Sequence, residues 1–206
     1  INKTKLNKDD TALLRLRPEG KTKFKSGDLL NVIPPEASKA RQYSIARIDD
    51  DILLSIKLHS KGLCSSYLCT IMQGDVFKAN IEENKDFHFP KKAPEVWCIS
   101  NGTGIAPFLG MINTHSKKNI QLIWGGKSEL SFNDYQEVID TSIARNKNIK
   151  IQFAFSQTAS KMYVQDVLRM QENTIAEALR NGSVFMLCGS LAMQTAVLDV
   201  LEEVSS

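Results

Sequence analysis

The two halves of this chain keep different rhythms, and no single repeating architecture accommodates both. In the first half, short apolar stretches are interrupted every few positions by Gly, Pro or Asp. Leu14 and Leu16 alternate with Arg15 and Arg17, and further strand-like runs cover residues 29–33, 43–48 and 52–58. The breaks between them include Ser26-Gly27-Asp28, Pro34-Pro35 and Asp49-Asp50-Asp51. Short strands of period two with frequent turns predict an antiparallel barrel or sandwich. One short helix is expected over 65–72, ended by Gly74. Further on, apolar runs at 96–99, 120–124, 149–155 and 184–187 alternate with helix-like segments at 106–115, 133–144, 164–179 and 192–201. In the last of these, Met193, Val197, Val200 and Leu201 recur at helical spacing. Strand–helix alternation predicts βαβ units on a parallel sheet. The proline-marked stretch Phe89-Pro90-Lys91-Lys92 separates the two rhythms, so the expected domains are 1–92 and 93–206.

Composition narrows the function classes. The chain has 206 residues, 42% hydrophobic and 24% charged, which is room for two small globular domains. No apolar run approaches the roughly 18 residues a membrane span needs, and no signal peptide is visible. The chain opens at Ile1 rather than Met, as expected of a piece of a longer protein, so any membrane contact is expected only through other parts of the parent. Residues 1–92 carry 17 Lys and Arg against 12 Asp and Glu, while residues 93–206 carry 9 against 11. The basic half suits an acidic partner, although chance and solubility explain the same asymmetry. No basic-aromatic stripe points to nucleic acid. Cys64, Cys69, Cys98 and Cys188 form no C-x-x-C pair and lie near no His at ligand spacing, so no metal site is expected. Cys98 and Cys188 stand in apolar runs, where a thiol is a small core group. Reduced thiols and a cytoplasmic location fit this pattern best.

Four motifs carry chemistry. Ser100-Asn101-Gly102-Thr103-Gly104-Ile105-Ala106-Pro107-Phe108 follows the apolar run Val96-Trp97-Cys98-Ile99 and leads into a helix. Strand, glycine turn, helix presents backbone N–H groups to a phosphate, although the third glycine of G-x-G-x-x-G is absent. Arg41-Gln42-Tyr43-Ser44 offers a guanidinium for a pyrophosphate, a ring face for stacking and a hydroxyl for a ring nitrogen. On a strand Arg41 and Tyr43 share a face; alone, the tetrapeptide reads better as an exposed strand with ordinary alternation. Gly62-Leu63-Cys64-Ser65-Ser66 joins a strand to a helix, with Ser65 or Ser66 as the expected N-cap. Cys188-Gly189-Ser190 closes a late strand.

In this order and spacing, the motifs resemble the ferredoxin–NADP reductase family, and most closely its diflavin branch, the flavoprotein of sulfite reductase and the NADPH–cytochrome reductases. Residues 156–166, beginning Ser156-Gln157, look like that branch's NADPH segment. The resemblance runs from about Leu14 to Leu201. It implies an antiparallel Greek-key β-barrel binding FAD, followed by a Rossmann-like parallel-sheet α/β domain binding NADP. It implies an enzyme in which hydride passes from NADPH to FAD and electrons then leave singly for a flavodoxin-like FMN domain, a flavodoxin or a ferredoxin. FMN itself is expected only if a flavodoxin-like domain precedes residue 1. Carried over by position, Tyr43 stacks on the flavin, Ser44 bonds near its N5, and Arg41, Gly62 and Ser65 hold the pyrophosphate, with Cys64 in the same turn. Ser55 and its neighbours lend backbone contacts to the flavin edge. Gly102, Thr103 and Gly104 approach the NADP pyrophosphate and nicotinamide, and Cys188 lies beside the nicotinamide. Ser156, Lys161, Tyr163 and Gln165 match the 2′-phosphate pocket. Ser44 and Cys188 are thus the residues at the reacting atoms.

The chain departs from the family in places. Gln157 stands where an arginine is usual, which removes one charge from the coenzyme pocket, and Lys127 stands where arginine is frequent. NADPH is favoured over NADH. The sequence ends at Ser206 without the terminal aromatic residue that covers the flavin in the family, as expected either of a truncated piece or of a lost tail. Only residues 33–40 separate Val32 from Arg41, where diflavin reductases insert a helical domain. The alternatives are a stand-alone ferredoxin or flavodoxin reductase and a non-catalytic flavin-binding module.

Overall fold

The structure is a computed structural model that describes residues 2–35, 37–115 and 117–205. It divides into two compact units, one made of Ile1–Phe89 with Ala106–Thr114, the other of Pro90–Ile105 with His115–Ser206.

The first unit contains β1 (Asn2–Lys3), β2 (Thr11–Leu16), β3 (Leu29–Val32), β4 (Arg41–Ser44), β5 (Ala46–Ile48), β6 (Asp51–Lys57) and β7 (Ala79–Glu82). They form two antiparallel sheets, ordered β1-β2-β6-β5 and β4-β3-β7. The strand expected over 43–48 is two strands in different sheets, and Ile45 makes the corner. Its N–H donates to Asp28 O at 3.0 Å and its carbonyl accepts from Gly27 N at 2.9 Å, so its backbone pairs with a turn and with neither sheet. Leu14, Leu30, Val32, Ile45, Leu54, Ile56 and Leu68 fill the core. The helix α1 (Leu63–Thr70) starts two residues before the expected 65–72. A second helix, α2 (Ala106–Thr114), is buried along Ala106–Ile112 and packs on β5. A helix apolar on all sides has no solvent face to present.

The second unit is built on β8 (Glu95–Asn101), β9 (Asn119–Gly126), β10 (Ile149–Phe155) and β11 (Val184–Cys188), all parallel and ordered β10-β9-β8-β11. Val96 to Ser100 are buried without alternation, as befits a central strand covered on both faces. Helix α3 (Gln136–Arg145) is preceded by a 3₁₀ segment, Glu129–Tyr135, and α6 covers Leu191–Ser205. The single helix expected over 164–179 is two, α4 (Val164–Arg169) and α5 (Glu172–Arg180). Gln171 causes the break. Its N–H turns to Leu168 O at 3.0 Å, and its side-chain amide takes the Val167 carbonyl at 3.1 Å that a continuous helix would have used. Trp97, Ile99, Ile123, Leu168, Ile175, Val197 and Val200 form the core on one side of this sheet.

Strand order reverses beside β8. From β8 the chain moves outward through β9 to β10, then returns to place β11 on the other flank. That reversal is a topological switch point, and the carboxyl ends of β8 and β11 border it.

Candidate functional site

In the second unit the switch point is occupied by two turns. After Asn101, Gly102–Ile105 forms a 3₁₀ turn before α2. The Gly102 carbonyl is held by the Trp124 indole N–H from β9 at 2.9 Å. Gly104 lies against the end of β11: a Cβ there would stand 2.2 Å from the Cys188 carbonyl oxygen. Cys188 pairs in register with Ser100 and is half-buried. Glycine at 104 therefore answers to close approach of two backbones. Beneath the turn, Ser100 is fully buried, and its hydroxyl is the one buried side-chain oxygen without a partner among the described residues.

The turns after β9 and β10 are tied together. Ser156 donates through both its N–H, at 3.0 Å, and its hydroxyl, at 3.2 Å, to the Gly126 carbonyl. Gln157 N–H donates to the Lys127 carbonyl at 2.9 Å. Lys161 Nζ sits 5.1 Å from the centre of the Tyr163 ring, a cation over an aromatic face. Tyr163 is 44% exposed, and its N–H donates to the Asp166 carboxylate at 2.8 Å. Gln165 follows in the first turn of α4. Local hydrogen bonds thus join Lys127 to Gln157 and a cation–π contact joins Lys161 to Tyr163.

In the first unit, Arg41 is exposed at the start of β4, an edge strand, while Tyr43 and Ser44 are half-buried. Burial pushes the Tyr43 phenol well above its ordinary range; the Cys64 thiol beside it acts in the same direction, and Arg41 opposes them. Arg41, Tyr43 and Cys64 are therefore neighbours. Cys64 is a core residue whose thiol donates to the Val32 carbonyl at 3.8 Å. A cofactor contact from that position falls to its backbone. The expected capping by Ser65 does not occur. Its hydroxyl donates back to the Gly62 carbonyl at 3.0 Å and accepts from His59 N–H at 3.2 Å, so it closes the preceding loop. No side chain caps α1, and its first N–H groups remain available to an anion. Ser55 is also buried, on β6, and β5 pairs with β6 only through Asp51–Leu53.

No cluster of three metal-ligating side chains occurs among the described residues. Two backbones in close contact at a switch point and an uncapped helix start fit phosphates and a dinucleotide. A family model for the oxidoreductase NAD-binding domain matches residues 98–199. The chain is 28% identical, over 95% of its length, to the chloroplastic ferredoxin–NADP reductase of Chlamydomonas reinhardtii. It is 26% identical over 93% to the sulfite reductase [NADPH] flavoprotein alpha-component of Buchnera aphidicola, and 29% over 70% to NADPH–cytochrome P450 reductase of Dictyostelium discoideum. The chain is similar to reductases of the ferredoxin–NADP type. Such proteins are oxidoreductases that use NADP and FAD. The ferredoxin–NADP⁺ reductase of Plasmodium falciparum with 2′P-AMP shares the fold, with a TM-score of 0.82 at 21% identity over 98% of this chain and 90% of that one. The chain spans 68% of the algal reductase, 36% of the sulfite reductase flavoprotein and 24% of the P450 reductase.

Asn101, Trp124 and Ser190 also hold these turns, and the motifs alone assign them no role. Their roles depend on partners in register or across the sheet, which no local pattern signals.

Proposed function

We propose that this chain is the FAD- and NADPH-binding part of a reductase that delivers electrons to a flavodoxin-like FMN domain, a flavodoxin or a ferredoxin. The observation that carries the reading is the glycine turn of β8 lying against the carbonyl of Cys188 at the switch point. In this reading the antiparallel unit, its sheets closing as a Greek-key barrel, takes FAD and the parallel-sheet unit takes NADPH. Bound NADPH supplies a hydride, and bound FAD accepts it and passes electrons on one at a time.

The chain's own residues bind and orient. Tyr43 offers its ring face while its hydroxyl stays protonated across the working pH range. Arg41 and the N–H groups that open α1 hold a pyrophosphate. Ser44 at the end of β4 bonds the flavin near its reacting nitrogen. Gly102, Thr103 and Gly104 admit the dinucleotide backbone, and Cys188 sets the nicotinamide edge. Lys161, Tyr163, Ser156 and Gln165, with Lys127, form the 2′-phosphate pocket, and the nucleotide in the Plasmodium structure, which carries that phosphate, supports NADPH over NADH. Relatives of both the stand-alone and the diflavin kind match, so the acceptor is left as a class. Reduced thiols support a cytoplasmic setting.

The test is to mix FAD-loaded protein with NADPH or NADH without oxygen and follow flavin bleaching. NADPH is expected to bleach at least roughly tenfold faster than NADH, and Lys161→Ala to raise the NADPH Kd by about tenfold, as for loss of one charge-assisted bond. Equal rates would remove the pocket assignment. No bleaching despite bound FAD would replace the enzyme with a flavin-binding module.

A further inference from the structure

A side-chain clasp ties the end of β8 to the start of α6. Asn101 Oδ1 accepts from the Ser190 main-chain N–H at 2.9 Å, and Asn101 Nδ2 donates to the Ser190 hydroxyl oxygen at 3.0 Å. The same hydroxyl oxygen accepts from Met193 N–H at 3.3 Å, and the Ser190 carbonyl accepts from Gln194 N–H at 3.1 Å, so Ser190 caps α6. Gly189 makes room for this arrangement, since a Cβ there would stand 2.1 Å from Asn101 Oδ1. On the other side, Gly104 rests on the Cys188 carbonyl. Residues 188–190 are thus held from two directions, by a carboxamide and by a bare Cα. The β8–β11 ladder ends at the pair Cys188 and Ser100, so the clasp is the next connection between the two turns.

We propose that Asn101 is a positioning residue for the reductase reaction. It fixes the Cys188-Gly189 turn against the Gly102-Thr103-Gly104 turn and so fixes the nicotinamide end of the coenzyme, without touching the reacting atoms. The inference rests on the function proposed above. Hydride transfer is sensitive to misplacement of about 1 Å, which can cost about a hundredfold in rate. Affinity is set largely elsewhere in that reading, at the 2′-phosphate end around Lys161 and Tyr163. The clasp therefore acts on the rate of transfer more than on binding.

The experiment compares wild type, Asn101→Leu and Ser190→Ala. Leucine keeps the volume and removes both hydrogen bonds; Ser190→Ala keeps the bond to the main-chain N–H and removes the other. In FAD-loaded Asn101→Leu, bleaching by NADPH is expected to slow roughly tenfold or more, with the Kd for NADP⁺ by calorimetry essentially unchanged. In protein free of cofactors, alkylation of Cys188 by iodoacetamide, followed by mass spectrometry, is expected to accelerate several-fold. Ser190→Ala should shift both readouts in the same direction by less, and it carries the test if the leucine variant does not fold. Unchanged bleaching and unchanged Cys188 reactivity would overturn the proposal, as would equal losses of rate and NADP⁺ affinity, the mark of a merely structural role. If wild type is not reduced by NADPH at all, the functional reading fails. An unchanged alkylation rate beside a working wild-type enzyme would remove the clasp alone.

Discussion

In the parallel-sheet unit the candidate site is a matter of main chain. Its turns are set by the ends of β8 and β11, by a glycine against a carbonyl, and by an indole holding a peptide oxygen. In the antiparallel unit it is a matter of side chains on an edge strand and of an uncapped helix. Arg41 and Tyr43 stand on β4, and the helix start is shaped by a serine that closes the loop before it. A backbone site tolerates almost nothing at its glycines and much at its flanking side chains. A side-chain site degrades by increments as each group is removed.

The sharpest way to break this contrast is Gly104→Val. The added carbons collide with the Cys188 carbonyl, and NADP⁺ affinity or hydride transfer should fall by roughly a hundredfold, while FAD content measured by absorbance stays near wild type. Unchanged kinetics would show that the turn is softer than its geometry indicates. Tyr43→Ala comes next. Losing an aromatic face worth about 1.5–3 kcal/mol should raise the Kd for FAD roughly 10- to 100-fold, and fluorescence titration of the apoprotein checks it.

A third prediction concerns charge, which anchors the antiparallel unit. Asp28 is buried, which pushes its carboxyl up, but the His88 ring at 2.6 Å and the N–H groups of Asn84 and Lys25 outweigh burial and hold it below its ordinary value. A lowered native pKa gives stability that is present above the unfolded value near 3.9 and lost as pH falls through the native one. Asp28→Asn should lower Tm by a few degrees at pH 7, and the gap from wild type should close as the pH drops below about 4. A gap that persists at low pH would mean that packing, not charge, is what the aspartate supplies. The smallest effect belongs to Ser100→Ala. Removing an unpartnered buried hydroxyl should leave stability unchanged or raise it by up to about 1 kcal/mol, read from denaturant midpoints.

The parts of this molecule legible in its sequence are those where local chemistry and final structure agree. Residues 149–155 read as a strand and are one, and the glycine turn after the buried run of β8 lies where strand ends meet. Elsewhere the decisive partner is remote. Ile45 divides one apolar run between two sheets because its backbone finds Gly27 and Asp28. Gln171 breaks a helical pattern because its own side chain competes for a carbonyl. Ser65 reads as a cap, and its hydroxyl is drawn to His59 and Gly62. Ser190 and Asn101 lie 89 residues apart, and only the register of β8 with β11 brings them within reach.

Helix α2 belongs to the first unit although Pro90–Ile105, which belongs to the second, is translated before it. An N-terminal unit can usually finish folding while the remainder is still being made. Here it cannot do so until Thr114 has left the ribosome. By then β8 has emerged as well, an apolar strand whose neighbours β9 and β11 have yet to emerge. A nascent chain that has emerged past residue 101 but not yet to 114 therefore holds an unfinished core and an unpaired hydrophobic strand at once. A gene cut at the Phe89–Pro90 junction leaves the first fragment permanently without α2, so the two halves are not separable at the point where their compositions change.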